Sequence, residues 1–313
     1  MLGKTAGGLF WMFRHLERSE NTARLIEAGF RIALTRPDGA DDEWASVLQT
    51  AAVARIYRAR HDSVDGPSVV DFLLRDTTNP SSVLSAISSA RQNARLVRTA
   101  LTREVWEAVN DTFMILKQTL SRPIRERDLP EVLGMIRQQS ALVTGALHGT
   151  MLRNDGFDFT RLGTFLERAD NTARILDVKY YVLLPSISQI GSSLDNVQWE
   201  TILRSVSGQR SFRWVNGGET SPKGIANFLI FDPRMPRSLA FSVNKIGTNL
   251  RYLAEEYGTR HTCHEMADEL NGRLMQTNIE RVFEDGLHEF ITEFVRDLSA
   301  IGAQIDHDYR FLG

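Results

Sequence analysis

A single cysteine, Cys263, stands in 313 residues. That excludes an intrachain disulfide framework and a cysteine-rich zinc site, and it agrees with a reducing compartment. No excess of positive charge exists either, with 37 Lys+Arg against 39 Asp+Glu. A global basic field that would draw in nucleic acid or an anionic membrane is therefore absent, and any charged partner must be met by a local patch. No apolar run approaches the roughly 20 residues of a membrane span. The opening MLGKTAGGLFWMFRHLER is interrupted by Arg14, His15, Glu17 and Arg18 too soon for a secretory segment. A soluble, cytoplasmic protein without nucleic-acid or membrane partners is the expectation.

Chemical signatures are equally sparse. The sequence contains no Walker loop, no GxGxxG fingerprint, no HExxH and no G-x-S-x-G elbow. No Glu is followed three residues later by His, so the di-iron carboxylate pattern is missing. Cys263 has no matching residue elsewhere in the chain and is a poor candidate nucleophile. His261 and His264, beside Glu265, have a spacing that would suit a metal, but a solvated helix face explains it more simply. No cofactor and no metal are expected.

What is present is helical periodicity. Clusters of Gly, Pro, Asn and Asp at 36–42, 62–68, 76–82, 121–130, 154–158, 185–195, 207–224 and 232–236 separate segments that lack the β-branched alternation of strands. An all-α helical bundle follows. Asn79-Pro80-Ser81-Ser82 reads as a helix start, with a polar cap and Pro in the first turn. A helical pattern runs from it to about Leu120, with a break near Thr102. The stretch 207–224, with Arg210, Arg213 and Trp214, reads as a solvated connection. Phe10, Trp11 and Phe13, and Tyr180 with Tyr181, read as core aromatics.

The chain also repeats itself. LERSENTARLI from Leu16 and LERADNTARIL from Leu166 share seven of eleven residues at an offset of 150. Trp44 and Leu48 match Trp199 and Leu203, and FLLRDTTNPSS from Phe72 follows the plan of FLIFDPRMPRS from Phe228. Asn93 and Arg95 match Asn249 and Arg251, while His148 matches His307. These correspondences predict one helical domain made of two tandem repeats, approximately 1–157 and 158–313, related by a pseudo-twofold axis.

Polar residues that survive in both copies are the informative ones. At 100° per residue, Glu17, Glu20, Asn21 and Arg24 fall within an arc of about 100°, opposite Leu16, Ala23, Ile26 and Phe30. Glu167, Asp170, Asn171 and Arg174 repeat the stripe, with Arg18 and Arg168 on its flanks. An i,i+4 acid–Arg pair is worth only about 0.3–0.5 kcal/mol and does not account for the full pattern. Two readings stand side by side. In one, the stripes meet in a buried, hydrogen-bonded ion network that fixes helix register. In the other they line a polar cleft, where Arg holds a carboxylate or phosphate, Asn orients an amide, and Glu17 or Glu167 serves as base or metal ligand. His148 and His307 join the candidate binding set because they recur at matching places.

The segments GGLFWMFRHLERSENTARLIE and RLGTFLERADNTARILD, with the MLRNDG turn before the second, resemble the bacterial Alpha-E family of helical domains over essentially the whole chain. The resemblance implies a helical fold whose characteristic polar residues are here Glu17, Arg18, Asn21 and Arg24, with Glu167, Arg168, Asn171 and Arg174. It also implies company: circularly permuted ATP-grasp ligase-like proteins, and transglutaminase-like or proteasome-like peptidases. One departure is at the start of the motif, where Phe13 and His15 of the first copy are not matched by the Thr164-Phe165 that precedes the second LER. Three functions follow. The chain is an accessory partner of an ATP-grasp-linked peptide or amide ligation system, recognising a protein or peptide through the stripes. Alternatively it is an enzyme acting on an amide through Glu17 or Glu167, or a scaffold with a buried ion network.

Overall fold

The computed structural model describes residues 1–34, 40–183, 193–217 and 220–311, and the side chains of all these except 40, 42, 178–183 and 193–198. No strand occurs among them. In chain order the α-helices are α1 (Gly3–Ala33), α2 (Ala40–Thr50), α3 (Ala54–Arg58), α4 (Gly66–Leu74), α5 (Val83–Leu96), α6 (Arg103–Thr119), α7 (Leu129–Thr150) and α8 (Asp155–Leu183). They continue as α9 (Ser193–Ser205), α10 (Gln209–Asn216), α11 (Pro222–Phe231), α12 (Leu239–Tyr257), α13 (Thr262–Gln276), α14 (Ile279–Asp285) and α15 (Leu287–Asp308).

Local chemistry places these boundaries. Side-chain oxygens of Asp65, Ser82, Ser221, Ser238 and Asn278 accept the amide N–H three residues on, satisfying donors that a helix start leaves open. The expected start at 79–82 is thus present, with a shift. Ser82 is the cap, and Pro80 lies in the turn before it, where buried Asn79 holds the Phe72 carbonyl and the Ser81 amide. The helical pattern toward Leu120 divides at Thr102, which caps α6. The cluster at 185–195 lies largely outside the described residues, and so do the side chains of Tyr180 and Tyr181.

The reading of 207–224 as a connection is corrected. Residues 209–216 form α10, because Phe212 drives into the core against Phe228 at 5.5 Å between ring centres while Arg210, Arg213 and Trp214 face water. A short amphipathic helix with one anchoring aromatic looks polar in sequence, since most of its residues are on its outer side.

Helix contacts build two rings of four. α1 packs on α5, α5 on α6, α6 on α7, and α7 returns to α1. In the same order α8 packs on α12, α12 on α13, α13 on α15, and α15 returns to α8. The rings share one seam, where α1 lies along α8. The accessory helices cross over it: α2 packs on α8 as well as α1, and α9 on α1 as well as α8. Close approach at the seam depends on Gly163, where a Cβ would stand 2.1 Å from the Phe10 carbonyl oxygen of α1. Leu9, Phe10, Leu16, Ile26, Phe165, Leu166 and Leu176 bury the apolar sides of the two central helices. Their polar stripes therefore face each other across the seam and lie away from solvent.

Candidate functional site

Each repeated glutamate crosses the seam to a repeated arginine. Arg168 of α8 holds Glu17 of α1 with two parallel bonds, Nε to Oε1 at 2.9 Å and Nη2 to Oε2 at 2.8 Å. Arg18 of α1 holds Glu167 of α8 in the same way, at 2.6 and 2.9 Å. The pairing is reciprocal, and both forks have the bidentate geometry that makes Arg–carboxylate contacts directional. The two carboxylates are buried, at 5% and 6% exposure. Arg18 and Arg168, on the flanks of their stripes, are the bracing residues.

A second arginine completes each carboxylate, and neither is repeated in the sequence. Arg237, just before α12, donates Nη1 to both Glu17 Oε1 and Asn21 Oδ1 at 3.0 Å and Nη2 to Glu20 at 2.5 Å. Arg14 donates to Glu167 at 2.9 Å while its guanidinium lies over the Trp11 ring, 5.1 Å from the centroid. The offset of 156 sets Ser81 opposite Arg237, and the offset of 150 sets Thr164 opposite Arg14. A search for repeated polar residues passes over both. The only sequence signal for Arg237 is an arginine directly preceding a Ser helix cap.

Electrostatics follow from this arrangement. Burial pushes the Glu17 carboxyl up, but Arg168 and Arg237 outweigh it and hold the group at about 2. Glu167 is likewise lowered, with burial opposed by Arg18 and Arg14. Arg237 is held down to about 10 by burial, with Glu17 opposing, and stays charged at neutral pH. His15 is lowered to about 4 by burial and by Arg18, so it is neutral beside the network. A carboxylate held this far into its charged form, with both oxygens engaged, is a weak base.

The remaining candidates divide. Asn21 also donates to the Glu167 carbonyl at 3.4 Å, whereas Asn171 has its Oδ1 hidden from water with no hydrogen-bond partner among the described residues. Arg24 pairs with Glu20 and reaches the Ser205 carbonyl and the Ser207 hydroxyl, and Arg174 pairs with Asp170. His148 lies at the end of α7 against Arg161 and Phe157, and His307 is exposed beside Asp308, so neither bonds to a stripe residue. His264 is buried as a structural cap: its Nδ1 accepts from the His261 amide and its Nε2 donates to the Leu250 carbonyl. Cys263 is fully buried, and burial pushes its thiol far up. Among the described residues no group of three or more His, Cys, Asp or Glu side chains is placed to hold a metal ion.

Two Glu-Arg pairs, Glu17-Arg18 and Glu167-Arg168, thus form the centre of the seam. Residues 1–310 match the Alpha-E family, described as a predicted alpha-helical domain with a conserved ER motif. The chain belongs to the Alpha-E family. Uncharacterized proteins of Mycobacterium bovis and Mycobacterium tuberculosis are 22% identical to this Alpha-E chain over 315 residues, covering 93% of it and 35% of their own length. The Alpha-E chain spans about a third of the length of these relatives. No solved structure matches it significantly.

Proposed function

We propose that this Alpha-E protein is a non-catalytic helical partner in an ATP-grasp-linked peptide or amide ligation system, and that its Glu-Arg stripes are an internal clasp. The observation that carries this reading is the reciprocal pairing of Glu17 with Arg168 and Glu167 with Arg18, each acid buried and completed by a further arginine. Both carboxylates are occupied from within the chain, which removes the support for either as a general base. Buried ion pairs contribute little net stability compared with apolar packing, but they penalise every arrangement that leaves one charge alone. In a chain of two similar halves, such a penalty selects one register of α1 on α8. The duplication itself is part of this proposal, supported by the same order of contacts in the two helix rings and by the offsets in the sequence. The partner role is supported by the relatives, in which the matching region is about a third of a longer chain.

The test is reconstitution with the ATP-grasp protein of the same genome, following complex formation by gel filtration and ADP release on a peptide panel. The expected result is a stable complex, no turnover by the Alpha-E protein alone, and Glu167→Gln with a lower Tm but full support of ligation below that Tm. Absence of a complex at micromolar concentrations overturns the partner role. A folded Glu167→Gln that binds normally yet abolishes turnover overturns the clasp in favour of a catalytic carboxylate.

A further inference from the structure

The arginines at the far ends of the two stripes are not used alike. α2 and α9 end in the same turn. Ala52 and Ser207, opposite one another at the offset of 155, share a φ of 56°. Their amides donate to Gln49 and Arg204, and the following amides of Val53 and Gly208 donate to Leu48 and Leu203. Each turn ends a helix that packs against the central helix of the other ring, so each is placed near a stripe arginine. At the α9 turn the contact is closed. Arg24 gives Nε to Glu20 at 2.9 Å and Nη2 to the same acid at 2.8 Å, and it turns Nη1 onto the Ser205 carbonyl at 3.0 Å and the Ser207 hydroxyl at 2.9 Å.

At the α2 turn it is open. Arg174 uses Nε and Nη2 on Asp170, at 2.7 and 3.1 Å, and its Nη1 has no partner among the described residues. Ala52 stands where Ser207 offers its hydroxyl. In place of the contact is a cavity of about 350 Å³, whose lining includes Gln49, Thr50, Arg55, Arg174, Asp177 and His288. Arg55 has no ion pair among the described residues. Among the described residues the one acid in this lining is Asp177, which faces His288, whose Nδ1 lies 2.7 Å from its Oδ1. The cavity is within the size range of small-molecule sites, and it presents two guanidinium groups with donor capacity left over.

We propose that this cavity binds the oxyanion, carboxylate or phosphate, of a small molecule, with Arg174 and Arg55 as its two anchors. An oxyanion supplies Arg174 with the acceptors that Ser205 and Ser207 give Arg24, and it gives Arg55 its missing counter-charge. Asp177, three residues after Arg174 on α8, is itself engaged by His288 at 2.7 Å, which leaves the two guanidinium groups to the anion. The proposal does not depend on the partner role, because it concerns the free protein.

Isothermal titration of the full chain with sodium phosphate and with sodium succinate, at constant ionic strength set by sodium chloride, tests it. Saturable binding of either is expected. Phosphate alone assigns a phosphoryl ligand, and succinate alone a carboxylate. Arg55→Ala, at an exposed position, is expected to weaken binding about tenfold without changing Tm. Ala52→Ser restores the hydroxyl found at Ser207, and is expected to weaken binding about tenfold and raise Tm by about 1–3 °C. No binding beyond that of chloride, or binding that neither substitution alters, overturns the proposal.

Discussion

Glu17 and Glu167 carry the same motif to the same seam, yet they are finished differently. Around Glu17 the second arginine is Arg237, 7% exposed, which gathers Glu17, Glu20 and Asn21 into one network. Around Glu167 it is Arg14, partly exposed over Trp11 and, among the described residues, bonded to that acid alone, and Asn171 keeps a buried oxygen without a partner among them. The repeated residues make the reciprocal fork. The unrepeated ones decide how tightly each end closes. The Glu17 end is saturated, and the Glu167 end retains unsatisfied capacity.

Removing the two unrepeated arginines should separate these ends most clearly. Arg237→Ala leaves the buried Asn21 oxygen without its donor, leaves Glu20 to Arg24 alone and takes one of Glu17's two counter-charges, so it should cost about 3–5 kcal/mol in urea unfolding. Arg14→Ala leaves the bidentate Arg18 in place and should cost about 1–2 kcal/mol. Equal losses would mean that the two ends are energetically alike.

Acid should reveal the same contrast more gently. Glu17 is held at about 2 in the folded protein against an ordinary 4.5. Its contribution is therefore complete above about pH 4.5 and is lost as pH falls toward 2. Glu17→Gln should consequently destabilise by about 3 kcal/mol at pH 7, with a deficit that shrinks steadily on titration from pH 5 to 3. A deficit independent of pH would show that the carboxylate's charge is not what Arg168 and Arg237 stabilise.

The smallest effect should come from giving the open end what the closed end has. Ser81→Arg puts an arginine at the position opposite Arg237, within the turn that precedes α5. A gain of up to about 1 kcal/mol is expected if it reaches Asn171 and Asp170. A loss of stability would show that the turn before α5 does not present this position to α8 as the turn before α12 presents Arg237 to α1.

The sequence made the fold class legible because helical periodicity and capping residues are local. Ser82 and Thr102 can be read as helix starts without knowing what their helices touch. The clasp was half legible. Glu17, Arg18, Glu167 and Arg168 announce themselves by repetition, but repetition does not say which Arg holds which Glu, and the crossed pairing exists only once α1 and α8 are side by side. Arg237 and Arg14 were illegible for the opposite reason, since their importance comes from breaking the repeat. α10 was hidden because one buried residue, Phe212, outweighs a polar surface that reads as loop. Arg24 and Arg174 look equivalent until their neighbours are compared, and the difference rests on Ser207 against Ala52, a residue pair with no chemistry of its own to attract notice.

The crossed forks also set a timetable for synthesis. Glu17 and Arg168 are 151 residues apart in the chain, so at ordinary elongation rates roughly 8–30 s separate their emergence from the ribosome. During that interval α1 lacks α8, so Glu17 and Arg18 are without the side chains that pair with them and the α8 side of α1 is an open groove. A second nascent chain could offer the same α8 to that groove. Exchange of α8 between neighbouring copies on a polysome is then the natural misassembly of this protein, and slow translation of the 151–154 turn would favour it.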